Sequence, residues 1–135
     1  MKRIVVGFDG SEHAHKALER AAEIANGATV AVVSATSPQK FLRDPGESKE
    51  DPADVEERSQ ALAEARKFLE EKGITGQYIA GHGNPADVIV AEAEESGADL
   101  IIVGTRGHNA AKRIALGSIS TNVVHHATVD VLVVR

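Results

Sequence analysis

The sequence predicts one α/β domain: a five-stranded parallel sheet, doubly wound, with four helices. Three observations lead there. Short, continuous apolar runs rich in Val and Ile alternate with longer stretches whose apolar residues recur at helical spacing. Three of the four helical stretches close on glycine. The chain has 135 residues, the length of one ordinary domain, enough to bury roughly 68–70% of its unfolded surface.

Arg3 to Phe8 reads as a strand buried on both faces, ended by Asp9-Gly10. Ser11 then suits an N-cap. Ala14, Ala17, Leu18, Ala21, Ile24 and Ala25 give the first helix, and Gly27 stops it. Thr29 to Ala35 is the second strand, completing a β-α-β unit with a right-handed crossover. Ser37 to Asp54 holds three of the four prolines and no apolar period, so a mobile loop is expected there. Val55 to Lys72 reads as the second helix, closed by Gly73. Thr75 to Gly81 is a polar strand suited to a sheet edge. Pro85 sits where a first helical turn tolerates it, and Ala86 to Ser96 follows as the third helix, ending at Gly97. Asp99 to Val103 is a buried strand, Gly117 to His126 the fourth helix, and Val129 to Val134 the last strand.

Composition narrows the function. Aromatic residues are 3% of the chain, so the core is aliphatic. There is no cysteine, which excludes disulfides and thiolate metal sites. A net charge of -5 argues against a nucleic-acid partner. The apolar run after Met1-Lys-Arg breaks at Gly7, too short for a signal peptide. No segment approaches the about 18 apolar residues of a membrane span, so no membrane partner and a cytoplasmic location are expected.

In a doubly wound sheet the ligand sits at the carboxyl ends of strands where the winding reverses. The flavodoxin-like order 3-2-1-4-5 sets the first strand beside the fourth. Their carboxyl ends are Asp9-Gly10 and Gly104-Thr-Arg-Gly107. The unusual residues thus fall where topology expects a crevice. The same order leaves Val129–Val134 at an edge, which predicts a homodimer through that strand.

The loop chemistry favours phosphate. Gly104 and Gly107 have no side chain to block close approach. Gly117-Ser118 opens a helix, so unpaired amides and the positive dipole end face a ligand, and Ser118 adds a hydroxyl. Arg106, Lys112 and Arg113 make the loop basic on an acidic protein. Three or four charge-assisted hydrogen bonds of about 1.5–3 kcal/mol each would hold a nucleotide in the micromolar range.

The spacing G-x2-G-x9-G-S, the opening Ile-Val-Val-Gly-Phe-Asp-Gly-Ser and the closing Val-Leu-Val-Val-Arg together resemble the universal stress protein family over essentially the whole chain. The resemblance implies a flavodoxin-like, adenine-nucleotide α-hydrolase-like fold, cytoplasmic dimers, and binding of ATP or related adenine nucleotides such as AMP or ADP, with Mg²⁺ held through the phosphates. It implies that Asp9, with Gly10, lies near adenine and ribose and that Ala35 faces the adenine. Val103 and Gly104 would line the ribose side, and Gly107, Gly117, Ser118 and Ile119 the phosphates, beside the basic Arg106 read from the loop chemistry. Asp130 stands where many relatives have proline, and Ala110-Ala111 makes the loop less bulky than usual.

Other chemistry is not indicated. His13 and His15 do not share a helical face, His125 and His126 are adjacent, and no H-E-x-x-H occurs, so no metal site is expected. His108 reads as a solvated loop residue. Neither G-x4-G-K-[ST] nor G-x-G-x-x-G is present. No catalytic residue is assigned. The readings that remain are an ATP-binding stress-response regulator, a dimeric interaction adaptor with a vestigial or AMP- or cyclic-AMP-occupied site, and a slow ATP hydrolase.

Overall fold

The computed structural model describes residues 1–36, 51–105 and 117–135. Its elements are β1 (Arg3–Gly7), α1 (Glu12–Ile24), β2 (Thr29–Thr36), α2 (Pro52–Glu71), β3 (Gly76–His82), α3 (Pro85–Ser96), β4 (Leu100–Gly104), α4 (Ser118–His126) and β5 (Asp130–Val134). The five strands form one sheet in the order β3-β2-β1-β4-β5, parallel throughout. This is the expected architecture and the expected order.

The central strand explains why the sheet is covered on both sides. Successive side chains of a strand point to opposite faces. Ile4, Val6 and Phe8 join one core with Val30, Val32, Ile102 and the apolar sides of α1 and α2. Val5 joins the other with Ala31, Val33, Ile101 and α3, closed by Val123 of α4. Ile4, Val5 and Val6 have no exposed surface. Burying each such side chain contributes about 1.5–3 kcal/mol, so β1 anchors both layers. In β3 the pattern weakens to half-buried and exposed residues, as befits an edge strand.

The helix starts follow side-chain chemistry. In α1, Ser11 Oγ accepts the Ala14 amide at 3.2 Å. In α3, Asn84 accepts from Ala86 at 3.0 Å with Pro85 in the first turn. Gly97 ends α3 in the left-handed region, at φ 69°. Most boundaries fall within a residue of expectation, but the start of α2 does not. The loop assigned to Ser37–Asp54 ends earlier, because α2 begins at Pro52 and not Val55. Asp51 is the N-cap, its carboxylate accepting from Ala53 at 2.8 Å, with proline in the first turn. Asp51-Pro52 is the same start signal as Asn84-Pro85, hidden by two earlier prolines. The remainder of that loop, 37–50, lies outside the described residues.

At the amino end of the sheet, Asp99 Oδ2 accepts the amides of Lys2 at 2.7 Å and Arg3 at 3.0 Å. These two bonds hold the Asp99 carboxyl below its ordinary pKa. A lowered folded-state pKa gives stability that is present above the unfolded value and lost as pH falls through the folded one. Asp99→Ala is therefore expected to be less stable than wild type at pH 7. The gap should narrow as pH drops below about 4, measured by denaturant unfolding at several pH values.

Candidate functional site

The winding reverses between β1 and β4. From β1 the chain enters α1 on one face of the sheet. From β4 it leads to α4 on the other. All strands being parallel, the carboxyl ends of β1, β2 and β4 share one rim with the start of α4.

After β1, Asp9 Oδ1 accepts the Ser11 amide at 2.9 Å. Gly10 takes φ 83°, a conformation that strains any residue with a Cβ. Asp9 and Gly10 thus shape the turn that aims α1 and are half-buried at the rim. Ala35, also half-buried, lies in register with Gly81 of β3 near the end of β2.

At the end of β4, Val103 is 3% exposed and packs in the core beneath α3 and α4. Only its backbone could line a ligand. Gly104 has a reason of its own to be glycine. A Cβ there would come within 2.5 Å of the His13 carbonyl oxygen and 2.7 Å of its carbon. The first turn of α1 thus rests directly on β4. Thr105 follows, buried at 5% exposure, with His13 Nδ1 3.3 Å from its hydroxyl. Sequence reasoning weighed His13 only as a metal ligand and missed this contact. Its contact spans 92 positions, and the only local hint is the bare glycine at the end of a strand.

Gly117 caps α4 in an extended conformation, φ -71° and ψ 168°, with no side-chain cap. Its amide donates to the Thr105 carbonyl and is engaged within the fold. The first regular helical bond runs from the Thr121 amide to the Gly117 carbonyl at 3.0 Å. Helical geometry leaves the amides of Ser118, Ile119 and Ser120 without an i−4 partner. Ser118 is exposed and Ile119 half-buried. The structure thus brings Asp9, Gly10, Ala35, Gly104, Gly117, Ser118 and Ile119 to one rim. Arg106 and Gly107 lie outside the described residues, as do His108, Lys112 and Arg113.

An uncapped helix start beside a switch point can hold an anion through backbone amides and the helix dipole. The sequence matches the universal stress protein family over residues 1–135. The chain belongs to that family. Among universal stress proteins it is similar to Rv1636 of Mycobacterium tuberculosis, 34% identical over 147 residues, covering 99% of this chain and 96% of that one. It is similar to a universal stress protein solved in complex with cAMP: 30% identity, TM-score 0.76, covering 99% of this chain and 97% of the other. The universal stress protein from Archaeoglobus fulgidus in complex with dAMP gives 27% identity and TM-score 0.79, covering 100% and 98%.

Among the described residues no group of three or more His, Asp or Glu is arranged to hold a metal. His15 instead meets Glu64 of α2 at 2.9 Å, tying α1 to α2, and stands perpendicular to the Phe8 ring. His126 Nδ1 lies 2.9 Å from the Asn122 carbonyl. No described helix is long and apolar enough to cross a membrane.

The backbone clash at Gly104 gives a direct expectation. Gly104→Ala should lower stability by about 1–3 kcal/mol, because backbone, not a flexible side chain, must yield. Denaturant unfolding without any nucleotide checks it; an unchanged midpoint would mean that α1 is not seated on β4 as described.

Proposed function

We propose that this chain is an adenine-nucleotide-binding regulatory protein of the cytoplasm, with ATP as its principal ligand. The observation that carries this reading is the start of α4. A glycine occupies the N-cap position, where Ser, Thr, Asp or Asn would bond a first-turn amide, so those amides remain for a ligand. Relatives crystallised with cAMP and dAMP support an adenine nucleotide at this rim. Ser118 and Ile119 would receive phosphate, with Gly107 and Arg106 as further candidates from the sequence. Asp9, Gly10 and Ala35 would flank the nucleoside. Mg²⁺ would arrive on the phosphates. No residue is assigned to catalysis, so binding and not turnover is the proposed output.

We also propose that the protein acts as a homodimer. β5 is the outer strand of the sheet, and Val131, Leu132 and Val133 are half-buried along it. No described strand pairs with its outer edge. An apolar edge of this kind suits pairing with the same strand of a second copy.

Isothermal titration of ATP against wild type and Gly117→Val tests the site. Gly117 has negative φ, so valine fits the backbone while its branched side chain obstructs approach to the amides behind it. A loss of about tenfold or more in affinity is expected, since obstructing one charge-assisted contact is worth that much. Equal affinity in the two proteins would refute the assignment. For the edge, sedimentation equilibrium should give a dimer for wild type and a monomer for Val131→Lys, with circular dichroism confirming that the variant is folded. A monomeric wild type at micromolar concentration would end the dimer reading.

A further inference from the structure

The Thr105 carbonyl receives two donors: the Gly117 amide and, at 3.1 Å, the Ser120 hydroxyl. Thr105 is itself fixed on two other sides. Its amide donates to the Val134 carbonyl at 3.0 Å, and its hydroxyl lies against His13. Thr105 and Ser120 are 5% and 2% exposed, so water does not compete for these bonds. Ser120 is the third residue of α4, and its hydroxyl also lies 3.0 Å from the Gly117 carbonyl, sharing its proton between two acceptors. The first turn of α4 is therefore held from the sheet side by a buried serine. A helix held by an N-cap side chain would be anchored through the very amides a ligand needs. Here the anchor is a side-chain hydroxyl bonded to carbonyls, and it uses none of the first-turn amides.

We propose that Ser120 is a positioning residue for anion binding: its buried hydroxyl, bonded to the Thr105 carbonyl, sets the first turn of α4 against β4 so that the Ser118 and Ile119 amides meet a phosphate together. This rests on the nucleotide reading above. Ser120 does not itself touch the ligand. Without its hydroxyl the helix still forms, and the Gly117 amide still reaches Thr105, but the turn loses one of its two tethers. Hydrogen bonds weaken steeply as their angle departs from linear, and those to charged oxygens are the strongest. The loss therefore falls on phosphate-bearing ligands and spares the nucleoside.

The test is calorimetric titration of ATP and of adenosine into wild type, Ser120→Ala and Ser120→Thr, with thermal unfolding of each. The alanine variant should bind ATP about fivefold more weakly, the scale of one neutral hydrogen bond, while adenosine affinity changes less than about twofold. Threonine, which keeps the hydroxyl, should restore ATP binding. A merely structural serine would lower the unfolding temperature and leave the ATP-to-adenosine affinity ratio at its wild-type value; that result overturns the proposal. Should Ser120→Ala fail to fold, the same ratio is read on Ser120→Cys, similar in size but a weak donor. A wild type that binds neither ligand refutes the nucleotide reading, and this proposal with it, before any variant is compared.

Discussion

The close seating of the first turn of α1 on the end of β4 organises the rim of this protein. It needs a residue without Cβ at position 104, and it places His13 against Thr105. Thr105 then links four elements: β4, of which it is the continuation, β5 through Val134, α1 through His13, and α4 through Gly117 and Ser120. Because β1 and β4 are neighbours in the sheet, this one junction closes the point at which the winding reverses. The two layers of helices diverge from it to opposite faces of the sheet, leaving the start of α4 at the rim.

Glycine has two different duties at this rim, and sequence cannot tell them apart. Gly104 reads as a residue that lets phosphate approach, yet the space its side chain would fill belongs to the backbone of α1. Gly117 has an ordinary φ, and its service is to leave a helix uncapped. Gly10 is needed for its left-handed conformation. The same residue type thus answers to packing, to helix-end chemistry and to backbone strain within one site. Asp9 shows a comparable doubling, since its carboxylate shapes the turn into α1 whatever else it meets.

How much was legible follows from the range of each interaction. Strands and helices were read correctly because burial on two faces imposes local periods, 2 for strands and 3.6 for helices. Edge positions were legible too: the polar stretch read as Thr75–Gly81 becomes the outer strand β3, Gly76–His82. The start of α2 was misplaced, because a proline-rich stretch without apolar period looks like loop even where Asp51-Pro52 begins a helix. The contacts that join His13, Thr105 and Ser120 were missed. Nothing in the neighbourhood of any of them reports a partner 92 or 15 positions away.

By itself the sequence determined the alternation of elements, the parallel doubly wound sheet and a glycine-started helix after β4. Each of these is encoded by residues within a turn or a strand of one another, where side-chain size, backbone freedom and hydrophobic period act directly. Only the tertiary structure decided which amides at the rim are engaged and which are left over. That choice depends on which carbonyl each donor finds across the sheet, and a donor in α4 finds Thr105 only once β1, β4 and β5 have aligned beneath it.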